Sequence, residues 1–223
     1  MRLQDVIIGV DTAAGVAAAA IVRGADGTGR GVAATGRQAL EGLLSCVRRA
    51  LAAADREMRD VGAIAVCSGP GSFTGLRIGV TFAKSLAQAL ACAAIGVSSF
   101  DIISSLRSAA EGATPRIAVA EGKRGFYYAR FIVTHDGPPL TVAGSRDFLV
   151  TAARDAFGED GERDLTRAFD APPPDAGARA ATAAALGRRS LDAGAPGDWR
   201  RLAIEYGQRP NAVVNWELRH GRL

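Results

Sequence analysis

The residues best placed for chemistry lie in one glycine-rich segment, residues 69–79, with the sequence Gly-Pro-Gly-Ser-Phe-Thr-Gly-Leu-Arg-Ile-Gly. A loop between a strand and a helix often holds phosphate, because backbone N–H groups converge there on the positive end of the helix. The spacing fits neither common phosphate motif. A P-loop requires Lys where this chain has Leu76, and the dinucleotide fingerprint requires Gly where it has Thr74. A tight turn with Ser72 or Thr74 as the helix N-cap is the structural alternative.

Metal and nucleophile chemistry have little support in the rest of the sequence. The histidines, His135 and His220, have no His, Asp or Glu partner at the spacing of a zinc site. The three cysteines lie in apolar surroundings without a CxxC pair, so we expect buried thiols in a reducing cytoplasm. No Gly-x-Ser-x-Gly occurs. We therefore expect no metal site and no catalytic residue in this chain.

Composition and charge narrow the classes of protein further. The chain has 223 residues, 48% of them hydrophobic and 22% charged, which is typical of one large or two small folded domains. No apolar run approaches the ~18 residues of a membrane span, so we expect a cytoplasmic protein without membrane contact. Lys and Arg number 27 against 23 acidic residues, a net charge of +4. The basic residues are scattered and mark no RNA-binding module, so direct contact with nucleic acid is not expected.

The elements that must position the glycine-rich segment follow from the hydrophobic periodicity of the first half. Short apolar runs predict strands, and apolar residues at i, i+3, i+4 and i+7 predict helices. The order β-β-β-α-β-α-β-α indicates a mixed sheet with helices packed on it. The predicted strands are 6–10, 17–22, 31–35, 63–67 and 95–97, and the predicted helices are 38–54, 75–93 and 99–110.

The second half repeats this pattern in a looser and more polar form. Its predicted strands are 116–120, 125–133, 140–142 and a weak one at 165–169, and its predicted helices are 146–157 and 178–193. We predict an α/β protein of two subdomains, 1–110 and 111–205. A C-terminal segment, 206–223, can return to the first subdomain.

The helix predicted at 75–93 has an unusually wide apolar surface. Arg77, Thr81, Lys84 and Gln88 fall in one stripe of about 60° at 100° per residue, and the remaining positions are apolar or small. One sheet cannot cover so much apolar surface. The helix is therefore either fully internal or packs against a partner helix, and both alternatives stay open. The candidate interface residues are Gly69, Pro70, Gly71, Ser72, Phe73, Thr74, Gly75, Leu76, Arg77, Ile78, Gly79, Phe82, Ser85, Ala89, Glu41 and Ser45.

The string GPGSFTGLRIG between a strand and a helix resembles the signature of the TsaB family. Two other stretches resemble the same family, Ile8-Gly9-Val10-Asp11-Thr12 near the start and Gly96-Val97-Ser98-Ser99-Phe100 after the signature helix. The stretch from Tyr206 to Ala212 is similar to the family's terminal Tyr-Leu-Arg-x-Pro-x-Ala. The resemblance is strong over residues 3–107 and weak thereafter, and its 11-residue signature is highly specific.

The resemblance implies a duplicated actin-like, ribonuclease H-like fold and a subunit without chemistry of its own. The TsaB family is the dimerisation subunit of the bacterial complex that forms threonylcarbamoyladenosine in tRNA. The implied partners are a TsaD-like catalytic subunit and a TsaE-like ATPase, with a homodimer when the partner is absent. ATP and threonylcarbamoyl-adenylate are used by the complex, and this chain alone has no cofactor. TsaD transfers the group to the adenosine that follows the anticodon, so tRNA is met only indirectly.

Departures from the family bear on any nucleotide site. Asp11 and Thr12 stand where actin-like kinases place their magnesium–phosphate aspartate, and they are weak cofactor-binding candidates. Ala13 follows where the family usually has Ser, and Glu121-Gly122-Lys123 stands where it has Asp-Ala-Arg. A capping role for Asp11 is the structural alternative. The alternative function is an autonomous actin-like ATP-dependent phosphotransferase, or less favourably a peptidase.

Overall fold

The computed structural model describes residues 6–14, 17–23, 28–34, 39–111, 117–122, 125–132 and 140–207. A five-stranded sheet has the order β3-β2-β1-β4-β5, and a three-stranded sheet has the order β6-β7-β8. The strands are β1 Val6–Asp11, β2 Ala17–Arg23, β3 Thr28–Ala34, β4 Val61–Gly69, β5 Ala93–Ser98, β6 Ile117–Glu121, β7 Tyr127–Phe131 and β8 Leu140–Gly144. The helices are α1 Ala39–Ala53, α2 Phe73–Leu90, α3 Ser99–Glu111, α4 Arg146–Asp170 and α5 Ala176–Asp192, with a short 3-10 turn at Met58–Asp60.

The five-stranded sheet is mixed, as the sequence predicts. Strand β1 at its centre runs antiparallel to β2 and parallel to β4, so that Gly9 lies between Ala20 and Ala65. All six residues of β1 are buried, because helices cover both faces of the sheet. The predicted α/β class and actin-like arrangement are confirmed.

Successive side chains of β1 point to opposite faces of the sheet, and the helices form one layer on each face. Ile8 and Val10 of β1 point into a core shared with α1 and α2, whereas Ile7 points into a core shared with α3 and α5. The first of these cores also contains Leu43 of α1 and Val80 of α2. Since α1 and α2 lie on the same face of the sheet, their outer sides together form one surface of the molecule.

The three-stranded sheet is antiparallel throughout and packs against α4. The strand predicted at 165–169 is wrong, because α4 continues to Asp170. Leu165 and Ala168 are buried one helical turn apart, and the five-residue stretch Leu-Thr-Arg-Ala-Phe is too short to distinguish a helical period from a strand period. At Gly158 the backbone has φ +67°, and the helix kinks there.

The chain returns to the five-stranded sheet after α4. Helix α5 packs against β1, β2 and β4. Beyond it, the Ala94 amide donates to the Gly197 carbonyl at 3.0 Å, and the Glu205 amide donates to the Ser68 carbonyl at 2.7 Å. Residues 197–205 therefore run from β5 to the end of β4. The division at residues 110 and 205 stays a prediction.

The remaining features of the fold concern helix limits and surfaces. Helix α2 ends earlier than predicted because Ala91 takes φ +49°, a left-handed conformation that stops the helix. Of the helices that the structure describes, none combines the length and apolar character that crossing a membrane requires. Lys123, His135, His220 and most of segment 206–223 lie outside the described residues.

Candidate functional site

The turn that leads into α2 is built from the glycine-rich segment. Gly69 has φ +119°, and a side chain there would overlap the Glu205 carbonyl. Ser72 is the N-cap of α2, and its Oγ accepts a hydrogen bond from the Gly75 amide at 3.3 Å. The Ser72 carbonyl accepts the first helical bond, from the Leu76 amide at 2.8 Å. The segment is thus a tight capped turn, as the structural alternative predicts.

The first turn of α2 is tied to the end of β1. The Ser72 amide donates to the Ala13 carbonyl at 2.8 Å, and the Thr12 hydroxyl donates to the Gly75 carbonyl at 2.6 Å. Thr12 reaches this position because Gly79, one turn further along, leaves room for its Oγ1. The glycines of the segment therefore serve a close approach between a helix and a strand of this chain.

Asp11 forms a buried ion pair with Arg179 of α5. The Arg179 Nε lies 2.8 Å from Asp11 Oδ2, and the two residues are 6% and 2% exposed. The other carboxylate oxygen, Oδ1, accepts the Ala13 amide at 2.8 Å. Burial lowers the pKa of Arg179, but the nearby Asp11 and Cys67 raise it by more, so the guanidinium stays charged. Both oxygens of the carboxylate are bonded within the chain, and Asp11 caps its own loop.

The buried thiols are poor nucleophiles. Cys67 Sγ lies 3.0 Å from Ser99 Oγ. Burial, reinforced by the negative charge of Asp11, raises the pKa of Cys67 to about 12. Burial likewise raises the pKa of Cys92 to about 11. Since the thiolate is the reactive form, both cysteines are structural at neutral pH. Within the described residues, no group of three His, Cys, Asp or Glu side chains could hold a metal ion.

The predicted interface residues separate into an outer and an inner set. Side chains facing outward belong to Phe73, Thr74, Arg77, Ser85 and Ala89 of α2 and to Ser45 of α1. Ser72, Ile78 and Phe82 are partly buried, and Ile78 and Phe82 pack against the core below them. Gly69, Pro70, Gly71, Gly75, Leu76 and Gly79 are buried within this chain. The side chain of Glu41 lies outside the described residues.

Two residues beside the outer set, Tyr206 and Leu44, were not among the predicted interface residues. Phe73 is 58% exposed, its ring centroid lies 5.2 Å from that of Tyr206, and the Arg77 guanidinium lies over the same ring. Leu44 of α1 is 38% exposed. Leu44 belongs to a helical apolar stripe, so only the tertiary structure shows that it faces outward. The Tyr206 contact joins residues 133 positions apart, and no sequence pattern indicates it.

Comparison with known proteins gives this surface a context. A family model described as "TsaD: tRNA N6-adenosine threonylcarbamoyltransferase" matches residues 32–137. An uncharacterized protein of Mycobacterium tuberculosis (strain H37Rv) is 34% identical over 151 residues, which cover 66% of this chain and 70% of the relative. The protein TsaB of Escherichia coli, named for tRNA threonylcarbamoyladenosine biosynthesis, is 33% identical over 92 residues, or 41% of this chain and 40% of the relative. These matches support a TsaB-type protein.

The solved structure of YeaZ from Pseudomonas aeruginosa has the same fold as this chain. It superposes with a TM-score of 0.68 at 20% identity, covering 91% of this chain and 99% of that one. The TsaB resemblance read from the 69–79 segment is confirmed. The family model spans α1 and α2, which are the two helices that form the outer surface.

Proposed function

We propose that this chain is a non-catalytic subunit of the complex that forms threonylcarbamoyladenosine in tRNA. Similarity to the TsaB protein and to the TsaD family model supports involvement in this biosynthesis. The surface of α1 and α2 would bind a TsaD-type catalytic subunit, and a TsaE-type ATPase would join that pair in the cytoplasm. One observation carries the proposal, namely an outer stripe of α2 on which Ser85 and Ala89 are exposed and Ile78 and Phe82 are only partly buried.

The outer stripe consists of Ile78, Phe82, Ser85 and Ala89, and it has the character of a helix-packing surface. At 100° per residue these four positions fall within about 60° of one another. Ser85 and Ala89 are exposed, and both are small enough for a second helix to approach closely. The charged and polar stripe of Arg77 and Lys84 lies beside it, as a polar rim lies beside an interface core.

Helix α1 extends the outer stripe across the same face of the molecule. Leu44 and Ser45 are exposed on α1, and α1 contacts α2 directly. A partner that inserts two helices could cover both at once. The same surface would form a homodimer when the catalytic subunit is absent, because pairing with a second copy would bury the exposed apolar side chains.

The cofactors of the reaction belong, in this proposal, to the complex. The Asp11 carboxylate accepts from Arg179 and from the Ala13 amide, which leaves it poorly placed to hold a magnesium–phosphate group. ATP and threonylcarbamoyl-adenylate would therefore be bound with residues of the partner subunits, and tRNA would be met indirectly. Calorimetry with Mg-ATP tests the alternative, an autonomous phosphotransferase, which requires tight binding to the isolated chain.

A charge placed on the outer stripe tests the surface assignment. Ala89→Arg would put a guanidinium into the proposed contact, and Gln88→Arg is the matched control because Gln88 is exposed one position away on the polar stripe. Ala89 is preferred to Phe82 as the test position, because Phe82 also packs on the core of this chain. Sizing with light scattering should show a 1:1 complex with the TsaD-type subunit for the wild type and Gln88→Arg, and its loss for Ala89→Arg. An intact complex with Ala89→Arg would overturn the assignment.

A further inference from the structure

We infer that the buried Asp11–Arg179 pair is a positioning device that sets the first turn of α2, so that α5 on one face of the sheet supports the partner-binding surface on the other. The partner-binding part of this inference rests on the proposed function. The positioning part concerns this chain alone and can be measured without a partner.

The polar residues of the protein interior support this inference because they are concentrated in one place. Among the residues whose side-chain burial the structure describes, four polar or charged ones are buried: Asp11, Thr12, Ser99 and Arg179. Arg179 pairs with Asp11 and lies close enough to Cys67 for its charge to act on that thiol, and Cys67 contacts Ser99. Asp11, Arg179 and Ser99 are therefore connected through Cys67, and Thr12 follows Asp11 directly in β1's terminal loop; these residues are defined here as the Asp11 cluster. Buried polar groups are costly unless each is satisfied, and a satisfied network fixes one geometry.

The Asp11 cluster reaches α2 through the backbone. Arg179 holds Asp11 Oδ2 at 2.8 Å, which orients Oδ1 toward the Ala13 amide at the same distance. The Ala13 carbonyl then accepts from the Ser72 amide. Ser72 is the N-cap of α2. Two hydrogen bonds, Ala13 amide to Asp11 and Ser72 amide to the Ala13 carbonyl, therefore connect the Asp11 carboxylate to the cap of the helix.

A second connection runs from the same loop to the next residues of α2. The Thr12 hydroxyl donates to the Gly75 carbonyl at 2.6 Å, and the Gly75 amide donates to Ser72 Oγ. The cap and the first turn are thus held from two directions by residues 11–13. The exposed Phe73 and Thr74 lie between these two anchors, at the end of α2 where the outer surface begins.

The position of Arg179 in α5 indicates that it serves this contact. Its neighbours on the buried side of α5, which include Ala180, Ala183, Ala184 and Gly187, are small and apolar. They allow α5 to approach β1 so closely that a side chain at Gly9 would overlap the Ala180 carbonyl. The guanidinium is therefore brought to the end of β1 by tight helix–strand packing, and an apolar side chain there would leave the Asp11 charge without its partner.

Hydrogen exchange and partner binding of Arg179→Met test the inference. Arg188→Met is the matched control, because Arg188 lies on the same helix and pairs with Asp192 at 3.1 Å. In Arg179→Met we expect exchange at the amides of residues 72–76 to accelerate at least about tenfold more than exchange at the amides of α1, which reports the shared loss of global stability. Affinity for the TsaD-type subunit should fall by about tenfold. Arg188→Met should change neither measurement.

A milder variant keeps the test decisive if Arg179→Met does not fold. Thr12→Val preserves the side-chain shape and removes only the bond to the Gly75 carbonyl, and we expect faster exchange at residues 72–76 in this variant as well. Wild-type exchange at these residues in either folded variant would overturn the positioning role. Failure of the wild-type chain to bind the partner would instead reject the proposed function, and the exchange data would still decide the positioning role.

Discussion

The arginines on the helices beside the two sheets differ in their exposure to solvent. Beside the five-stranded sheet, Arg179 is buried and its partner Asp11 is equally inaccessible. On α4 beside the three-stranded sheet, arginines form pairs in contact with solvent. These exposed pairs are Arg146 with Asp170, Arg154 with Glu162, and Arg163 with Asp160.

The difference shows that arginine content alone says little about function in this chain. A pair on an exposed helix is screened by water and salt, and it can be lost with little consequence. A buried pair is weak evidence for added stability, but breaking it leaves a charge in the interior. The Asp11–Arg179 pair therefore constrains the turn of α2, whereas the α4 pairs leave the three-stranded sheet almost unaffected. Three predictions test this contrast.

The largest effect is expected from breaking the buried pair. Arg179→Met leaves the Asp11 carboxylate uncompensated and should lower the free energy of unfolding by about 3–5 kcal/mol in urea titrations. The double variant Asp11→Asn with Arg179→Met removes both charges while Asn can still accept the Ala13 amide. This double variant should recover most of the free energy of unfolding that the single variant loses. If Arg179→Met is as stable as the wild type, the buried pair contributes as little to stability as the exposed pairs of α4, which would contradict this prediction.

A smaller effect is expected from pH, through the thiol next to the pair. Burial raises the pKa of Cys67 to about 12 in the folded chain, against an ordinary thiol value of 9.0 that we take for the unfolded chain. The folded state then binds the proton more tightly, so stability is lost as pH rises through the window from 9 to 12. Between pH 8 and pH 10 the wild type should lose about 1.4 kcal/mol more than Cys67→Ala. Parallel pH profiles of the two proteins would contradict the burial of this thiol.

The smallest effect is expected on α4. The hydrogen bond from Arg154 lowers the pKa of Glu162, yet the arginine is exposed and either partner can be hydrated instead. Arg154→Met should leave the urea midpoint and the slope of the transition unchanged within error. A clear loss of stability would show that the exposed pairs also hold their helix in place.

Most of the first half of the fold could be predicted from sequence because its periodic signals are long. The stripe of α1 and the continuous apolar runs of β1 and β4 each match one period clearly. The Ser72 cap could be predicted from residue type and position. In the second half, the mixed apolar and polar stretch at 165–169 was too short to distinguish helix from strand, and the kink at Gly158 obscured the continuity of α4.

The candidate site was predictable only in part, for a physical reason. The 69–79 segment carries local chemistry that a sequence motif can express, and its place between strand and helix is confirmed. The partner of Asp11 lies 168 residues away. One signal could have pointed to it, namely a charged residue within a run of alanine and glycine in α5. The sequence alone could not connect that arginine with Asp11, because only the packing of α5 on β1 brings them together.

Complementation measures the central claim most directly. A strain depleted of its TsaB-type subunit would express this chain, and threonylcarbamoyladenosine would be quantified in bulk tRNA. We expect the wild type and Gln88→Arg to restore the modified nucleoside and Ala89→Arg, expressed at the same level, to leave it depleted. Failure of the wild type to restore it, or full restoration by Ala89→Arg, would contradict a supporting role exercised through the surface of α1 and α2.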